Sequence, residues 1–291
     1  MKKLISTLAA IAAGLALALP ACAGDFKSDR IIVTTTGEGK DVVLIPGLSS
    51  SASVWDTTIQ ALPGYRYHVV QVKGFAGVPA EANATGPVVA PLAEEVARYI
   101  VSEKLDRPAV TGHSMGGTVG MMVAARHPGL VSRLMVVDMI PFMGAMFMPN
   151  ATPDSVAPIA GQIRDGIRNA PAAGRQATAE QTIAGMIKTE AFRPAAIKHA
   201  MDSDPATSGQ AMYELITTDL RPELANIKVP LRVLWVLPPG APITAEQMAG
   251  YYQMSYANAP NASLRQVTDS CHFIMFDQPE LFQAELKTFI Q

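Results

Sequence analysis

Residues 109–127 constrain this chain more than any other stretch. An apolar start at Ala109 and Val110 runs into Gly112-His113-Ser114-Met115-Gly116-Gly117, and small or apolar residues (Thr118, Gly120, Ala124, Ala125) carry on to His127. A short buried strand must therefore turn sharply into a helix. Gly112 and Gly116 lack β-carbons, so the two elements can close on each other at the turn. A residue held at such a corner takes a strained backbone conformation and presents its side chain at the strand end. The helix that begins there aims free N–H groups and the positive end of its dipole at the same point. A Gly-x-Ser-x-Gly pentapeptide alone is common, but this strand-turn-helix context makes Ser114 an expected nucleophile, with an acyl-enzyme as its intermediate.

Elsewhere the hydrophobic pattern alternates. Apolar or β-branched runs at 31–36, 41–45, 67–72, 109–111, 134–137, 231–237 and 263–267 predict strands. Residues 91–105 place Leu92, Val96 and Ile100 on one helical face and Glu94, Glu95 and Arg98 on another. Helices are also expected over 115–127 and 280–290. This is the pattern of an α/β fold, a mostly parallel central sheet flanked by helices. The rhythm stops between residues 139 and 226, where only helical segments punctuated by Pro and Ala appear. That stretch is too long for a plain loop and reads as an inserted helical cap. The expected division is 1–23 as signal peptide, 24–138 as the first part of the core, 139–226 as the cap and 227–291 as the second part of the core. Met139, Phe142, Met143, Met146, Phe147 and Met148 crowd the start of the insertion. They either pack cap to core or line an adaptable apolar pocket, for which Phe142, Met143 and Met146 are the candidates.

At the start of the chain Lys2 and Lys3 precede an apolar run over 4–19, then Pro20 and Ala21-Cys22-Ala23. Charged start, apolar middle and small-residue end describe a secretory signal peptide cleaved after Ala23, so a periplasmic or secreted protein is expected. The rivals are a membrane anchor, for which the run is short of roughly 20 apolar residues, and a lipidated Cys22, which Pro20 suits poorly. Cleavage would leave Cys271 as the one cysteine and no stable membrane insertion. No disulfide framework is then available, and the core must supply the stability. The formal net charge is −2 with no basic block, which argues against a nucleic-acid partner. No His-x-x-x-His or paired-cysteine spacing suggests a metal. Gly37-Glu38-Gly39 opens no helix and so is no dinucleotide loop. No cofactor is expected.

Three motifs in order, Ile45-Pro46-Gly47-Leu48, Gly112-His113-Ser114-Met115-Gly116-Gly117 and His272-Phe273, resemble the signatures of the α/β-hydrolase superfamily over nearly all of the mature chain. The resemblance implies the α/β-hydrolase fold and a serine esterase-like or lipase-like activity. It puts one oxyanion donor at the Met115 N–H and the other in the loop after residue 45, at Leu48 or Ser49. The common His-Gly is replaced there by Pro46-Gly47. Of five histidines, His272 lies where the superfamily has its general base. His68 falls in a strand, His113 is expected to point away, His127 ends a helix and His199 lies in the insertion. The usual acid position reads Pro238-Pro239-Gly240-Ala241, without a carboxylate. Some members carry the acid at the end of the strand after the nucleophile helix, which selects Asp138; Asp219 and Asp269 remain alternatives. Asp277 reads as the cap of the last helix. The expected activity is cleavage of a carboxylic ester or lactone-like bond in a small-to-medium acyl substrate. The alternatives are a ligand-binding protein without turnover, motivated by the missing acid, and a lyase on the same scaffold.

Overall fold

A computed structural model describes residues 26–148 and 150–291. The signal segment expected at 1–23, with Cys22, lies outside the described residues. Among the described residues seven strands form one sheet: β1 (Ile31–Thr36), β2 (Lys40–Ile45), β3 (Tyr65–Val72), β4 (Ala109–His113), β5 (Arg133–Val137), β6 (Leu231–Trp235) and β7 (Ala262–Gln266). Their order is β1-β3-β2-β4-β5-β6-β7. β1 pairs antiparallel with β3, and every other neighbouring pair is parallel. The central strands read as continuous apolar runs because both of their faces are covered. β4 is buried throughout, whereas β7, at the edge, alternates between half-buried and exposed.

Ten helices accompany the strands among the described residues. They are α1 (Asp56–Ala61), α2 (Val89–Ser102), α3 (Met115–Arg126), α4 (Pro153–Asn169), α5 (Ala172–Met186), α6 (Arg193–Asp202), α7 (Pro205–Thr217), α8 (Ala245–Ser255), α9 (Ile274–Asp277) and α10 (Pro279–Ile290). Successive residues of a strand face opposite ways, and this parity divides the core. Val43, Ile45, Val110, Leu134 and Val136 pack against α2, α3 and α8. Val42, Leu44, Ala109, Met135 and Val137 pack on the other face with Trp55, Phe282 and Leu286. The fold is the α/β-hydrolase architecture, with helices on both faces of the sheet. Helices α4 to α7 all fall between β5 and β6, and α4 packs on α7 around Val156, Ala160 and Ile216.

Three local departures from the sequence pattern have physical reasons. Helix α2 begins at Val89, before Pro91, because the Glu214 carboxylate of α7 accepts from the Val88 and Val89 N–H groups at 2.8 and 2.7 Å. That cap comes from a residue more than a hundred positions away. Helix α8 has no counterpart among the expected helices, although Thr244 and Gln247 form a capping box at its start. Strand β6 stops at Trp235 rather than 237, because the Val236 N–H leaves the ladder to donate to Asp138 Oδ1 at 3.1 Å.

Candidate active site

Ser114 joins β4 to α3 with φ 52° and ψ −121°, a conformation that a residue with a β-carbon rarely adopts. Its N–H donates to Val137 O at 2.9 Å, and its carbonyl accepts from Gly117 N at 2.8 Å. The flanking glycines leave no room for substitution. A β-carbon on Gly112 would sit 2.1 Å from Gly116 O, and one on Gly116 would sit 2.2 Å from Ile45 O. Ser114 is thus held at the C-terminal end of the sheet by contacts on three sides.

His272 lies in the loop after β7, and its Nδ1 stands 2.6 Å from Asp138 Oδ2. Asp138 follows β5 with φ 52°, and its own N–H donates to Leu234 O at 2.7 Å. Its second oxygen, Oδ1, accepts from Val236 N at 3.1 Å and from the Tyr252 hydroxyl at 3.2 Å. Burial first, then the neighbouring carboxylate, push the Tyr252 hydroxyl well above its ordinary pKa, so it stays a donor. A carboxylate on Nδ1 assigns the ring proton to that nitrogen and leaves the Nε2 lone pair free. The other two acid candidates are engaged elsewhere. Asp219 binds Arg221 at 2.6 and 2.9 Å, and Asp269 pairs with Lys188.

Two sequence expectations near His272 need correction. Asp277 makes no cap for α10; it accepts from the backbone N–H groups of Lys188, Thr189 and Cys271. Those amides lie closer because the α5–α6 junction packs on the loop that carries His272. His113 does not point away from the site. Its Nε2 donates to His272 O at 3.1 Å, and the two rings lie 4.6 Å apart. Burial holds His113 well below the ordinary histidine pKa, with the neighbouring His272 adding to the effect, so it is a neutral support. Among the other histidines, His68 bonds Asp41 and Tyr99, and His127 reaches Glu94.

The loop after β2 passes directly over the elbow. A β-carbon on Gly47 would stand 3.2 Å from Ser114 Cβ, which explains a glycine after Pro46. Ser50 N closes a turn onto Gly47 O at 3.3 Å, and Ser49 takes φ 53°. Met115 is the first residue of α3, where an N–H has no intrahelical acceptor. Among the described residues, no backbone acceptor meets the Leu48 N–H either. Two unpaired N–H groups beside one strained serine can stabilise charge on an oxygen attached to the carbon that the serine attacks.

Ser114, His272, Asp138 and Leu48 open onto a cavity of about 1220 Å³. Its wall is largely apolar: Met143, Met146, Ile163, Met186 and Met212 come from the segment between β5 and β6, and the 238–243 loop, Ala241 included, closes another side. Phe142 is no part of that wall. It is buried with Ala151, Val156, Ala160 and Ile216, because its ring turns under Gly144 while Met143 faces the cavity. Sequence reasoning missed Tyr252, Val236, His199 and Arg175, the first two around Asp138 and the last two on the cavity wall. Only long-range packing brings them there. Among the described residues no group of three or more potential ligands gathers for a metal, and no helix is long and apolar enough to cross a membrane.

The alpha/beta hydrolase family model matches residues 42–285. The pimeloyl-(acyl-carrier protein) methyl ester esterase of Vibrio atlanticus is 27% identical over 276 residues, which cover 91% of this chain and 99% of that protein. Its namesake in Vibrio cholerae is 30% identical over 209 residues, covering 69% of this chain and 76% of the relative. The solved enol-lactonase of Burkholderia xenovorans superposes with a TM-score of 0.71 at 20% identity, over 89% of this chain and 95% of that one, a likeness of fold.

Proposed function

The chain belongs to the alpha/beta hydrolase family, and from that premise we propose that it hydrolyses a carboxylic ester or lactone-like bond through a serine acyl-enzyme. Its esterase relatives support ester chemistry. The observation that carries the mechanism is the 2.6 Å approach of Asp138 to His272 Nδ1 at the cavity that holds the strained Ser114. In this reading His272 Nε2 takes the Ser114 proton as Oγ bonds to the acyl carbon. The Leu48 and Met115 N–H groups hold the oxyanion. As the acyl–oxygen bond breaks, the imidazolium returns the proton to the leaving alcohol. Water then repeats the sequence on the acyl-enzyme and frees the acid.

A mainly apolar cavity of this volume suits a medium-length acyl group better than acetate. Methionines supply much of its adaptable surface. The helices between β5 and β6 act as a cap in this proposal, since their side chains line the same cavity as Ser114, Asp138 and His272. Export to the periplasm or beyond belongs to the same reading and rests on the sequence at 1–23.

A fluorophosphonate probe tests the nucleophile. Wild-type protein is expected to be labelled at Ser114, and Ser114→Ala to be spared. An unlabelled wild type at neutral pH would remove the serine mechanism.

A further inference from the structure

The few charged groups on the cavity wall can be followed one by one. Asp138 is saturated by His272, Tyr252 and the Val236 amide. Of the side chains with a permanent positive charge, Arg175 alone lines the cavity among the described residues. It projects from the first half of α5 and is half-buried. Its Nε is fully buried and meets no acceptor, and no carboxylate pairs with its guanidinium among the described residues. Other half-buried arginines of this protein differ. Arg193 reaches Glu190 at 3.2 Å and Arg221 reaches Asp219 at 2.6 Å. Arg232 also has an unpaired buried Nε, but its Nη1 holds Glu285 at 2.8 Å.

A buried donor left unpaired is destabilising, and more so when it belongs to a charge facing apolar surface. The fold satisfies its other sheltered guanidinium groups from within. At Arg175 the fold supplies no acceptor among the described residues, which leaves the guanidinium free to take one from what enters the cavity. A guanidinium is a planar fork matched to a carboxylate. A doubly charged phosphate would call for a second cation, which this wall lacks.

Building on the assignment of Ser114, we propose that Arg175 is a specificity-determining residue that binds a carboxylate at the far end of the acyl chain. The preferred substrate class is then the monoester of a medium-chain dicarboxylic acid. Methionine side chains line the path, and the guanidinium meets the distal anion.

The test compares mono-p-nitrophenyl esters of adipate, suberate and sebacate with p-nitrophenyl hexanoate, octanoate and decanoate. The ratio of kcat/KM between each anionic ester and its neutral partner cancels any general loss. Wild type is expected to favour the anionic ester at one chain length at least, and Arg175→Gln to lower that ratio by about ten- to hundredfold, the range of one charge-assisted hydrogen bond. A ratio that Arg175→Gln leaves unchanged, or a wild type that favours the neutral ester at every length, would overturn the proposal. Calorimetric binding of monomethyl suberate and dimethyl suberate to Ser114→Ala separates it from the serine mechanism. Tighter binding of the anion, abolished by adding Arg175→Gln, supports Arg175 whatever the nucleophile. Equal binding of both counts against Arg175 even where Ser114 is labelled.

Discussion

A carboxylate that accepts three hydrogen bonds has little freedom left, and Asp138 accepts from His272, Val236 and Tyr252. Asparagine at this position keeps the shape and tolerates φ 52°. Its carbonyl oxygen can still accept from Val236 and Tyr252, which leaves the NH₂ group facing His272 Nδ1. The ring must then present a lone pair to that group and carry its proton on Nε2, the wrong tautomer for a base. Asp138→Asn is therefore expected to lower kcat on a p-nitrophenyl ester by about 10⁴, with the melting temperature nearly unchanged. Unaltered turnover would move the orienting role to another group. The residues around this site differ in how far a sequence discloses them. Ser114 is legible because its backbone demands small neighbours on both sides, and those glycines are adjacent in the chain. Asp138 is legible only as one of three candidates, since its histidine lies 134 positions away. Tyr252 and Arg175 carry no local signal at all. A tyrosine or arginine on a helix looks the same whether it faces solvent, core or a cavity.

At the scale of elements, α3 is packed so closely that its glycines serve the sheet rather than the helix. A β-carbon on Gly120 would stand 2.7 Å from Leu134 Cδ1, a side chain that is itself fully buried. Gly161, inside α4, has nothing within 4 Å. Alanine gains about 1 kcal/mol over glycine in a helix interior, so Gly161→Ala is expected to raise unfolding stability by about 0.5–1 kcal/mol. The same gain at Gly120 is outweighed by overpacking of about 1–3 kcal/mol, and Gly120→Ala is expected to lower stability. Urea denaturation of the two variants measures both, and equal shifts would show that α3 yields more than its contacts suggest. The small-residue run 115–127 announced this close packing in the sequence. By contrast, the start of α2 was illegible, because its cap is Glu214 of α7. The Met-rich run was legible as apolar but not as divided. A single turn sends Met143 to the cavity and Phe142 to the space between α4 and α7.

At the scale of the whole molecule, the sheet brings distant residues together at the C-terminal ends of its parallel strands, where open α/β sheets form their sites. β6 lies beside β5 although the chain between them runs through four helices. That adjacency delivers the Val236 amide to Asp138, and periodicity along the chain carries no trace of it. The same packing buries two histidines and half-buries a third, each in a separate place. His113 lies beside the site, His199 faces the cavity, and His68 is on β3 with Asp41 and Tyr99. Burial lowers the pKa of each, and at His68 the Asp41 carboxylate only partly opposes it. A lowered histidine pKa means that the unfolded chain binds protons which the folded protein refuses. Stability is then complete above the unfolded value near 6.5 and falls as pH drops below it. Asp41 acts in a lower window. Burial alone would raise its carboxyl, but the bonds to Arg66 and His68 outweigh burial and hold it below its ordinary value. Its contribution is therefore lost only as pH falls below about 4. The melting temperature is expected to be level above about pH 7 and to decline between about pH 6.5 and 5. Proton uptake on unfolding across that range should rise by up to about three, one for each histidine. Calorimetry in buffers of different ionisation enthalpy measures that uptake directly. A melting temperature that holds or rises from pH 7 to 5 would mean that these histidines become charged within the fold.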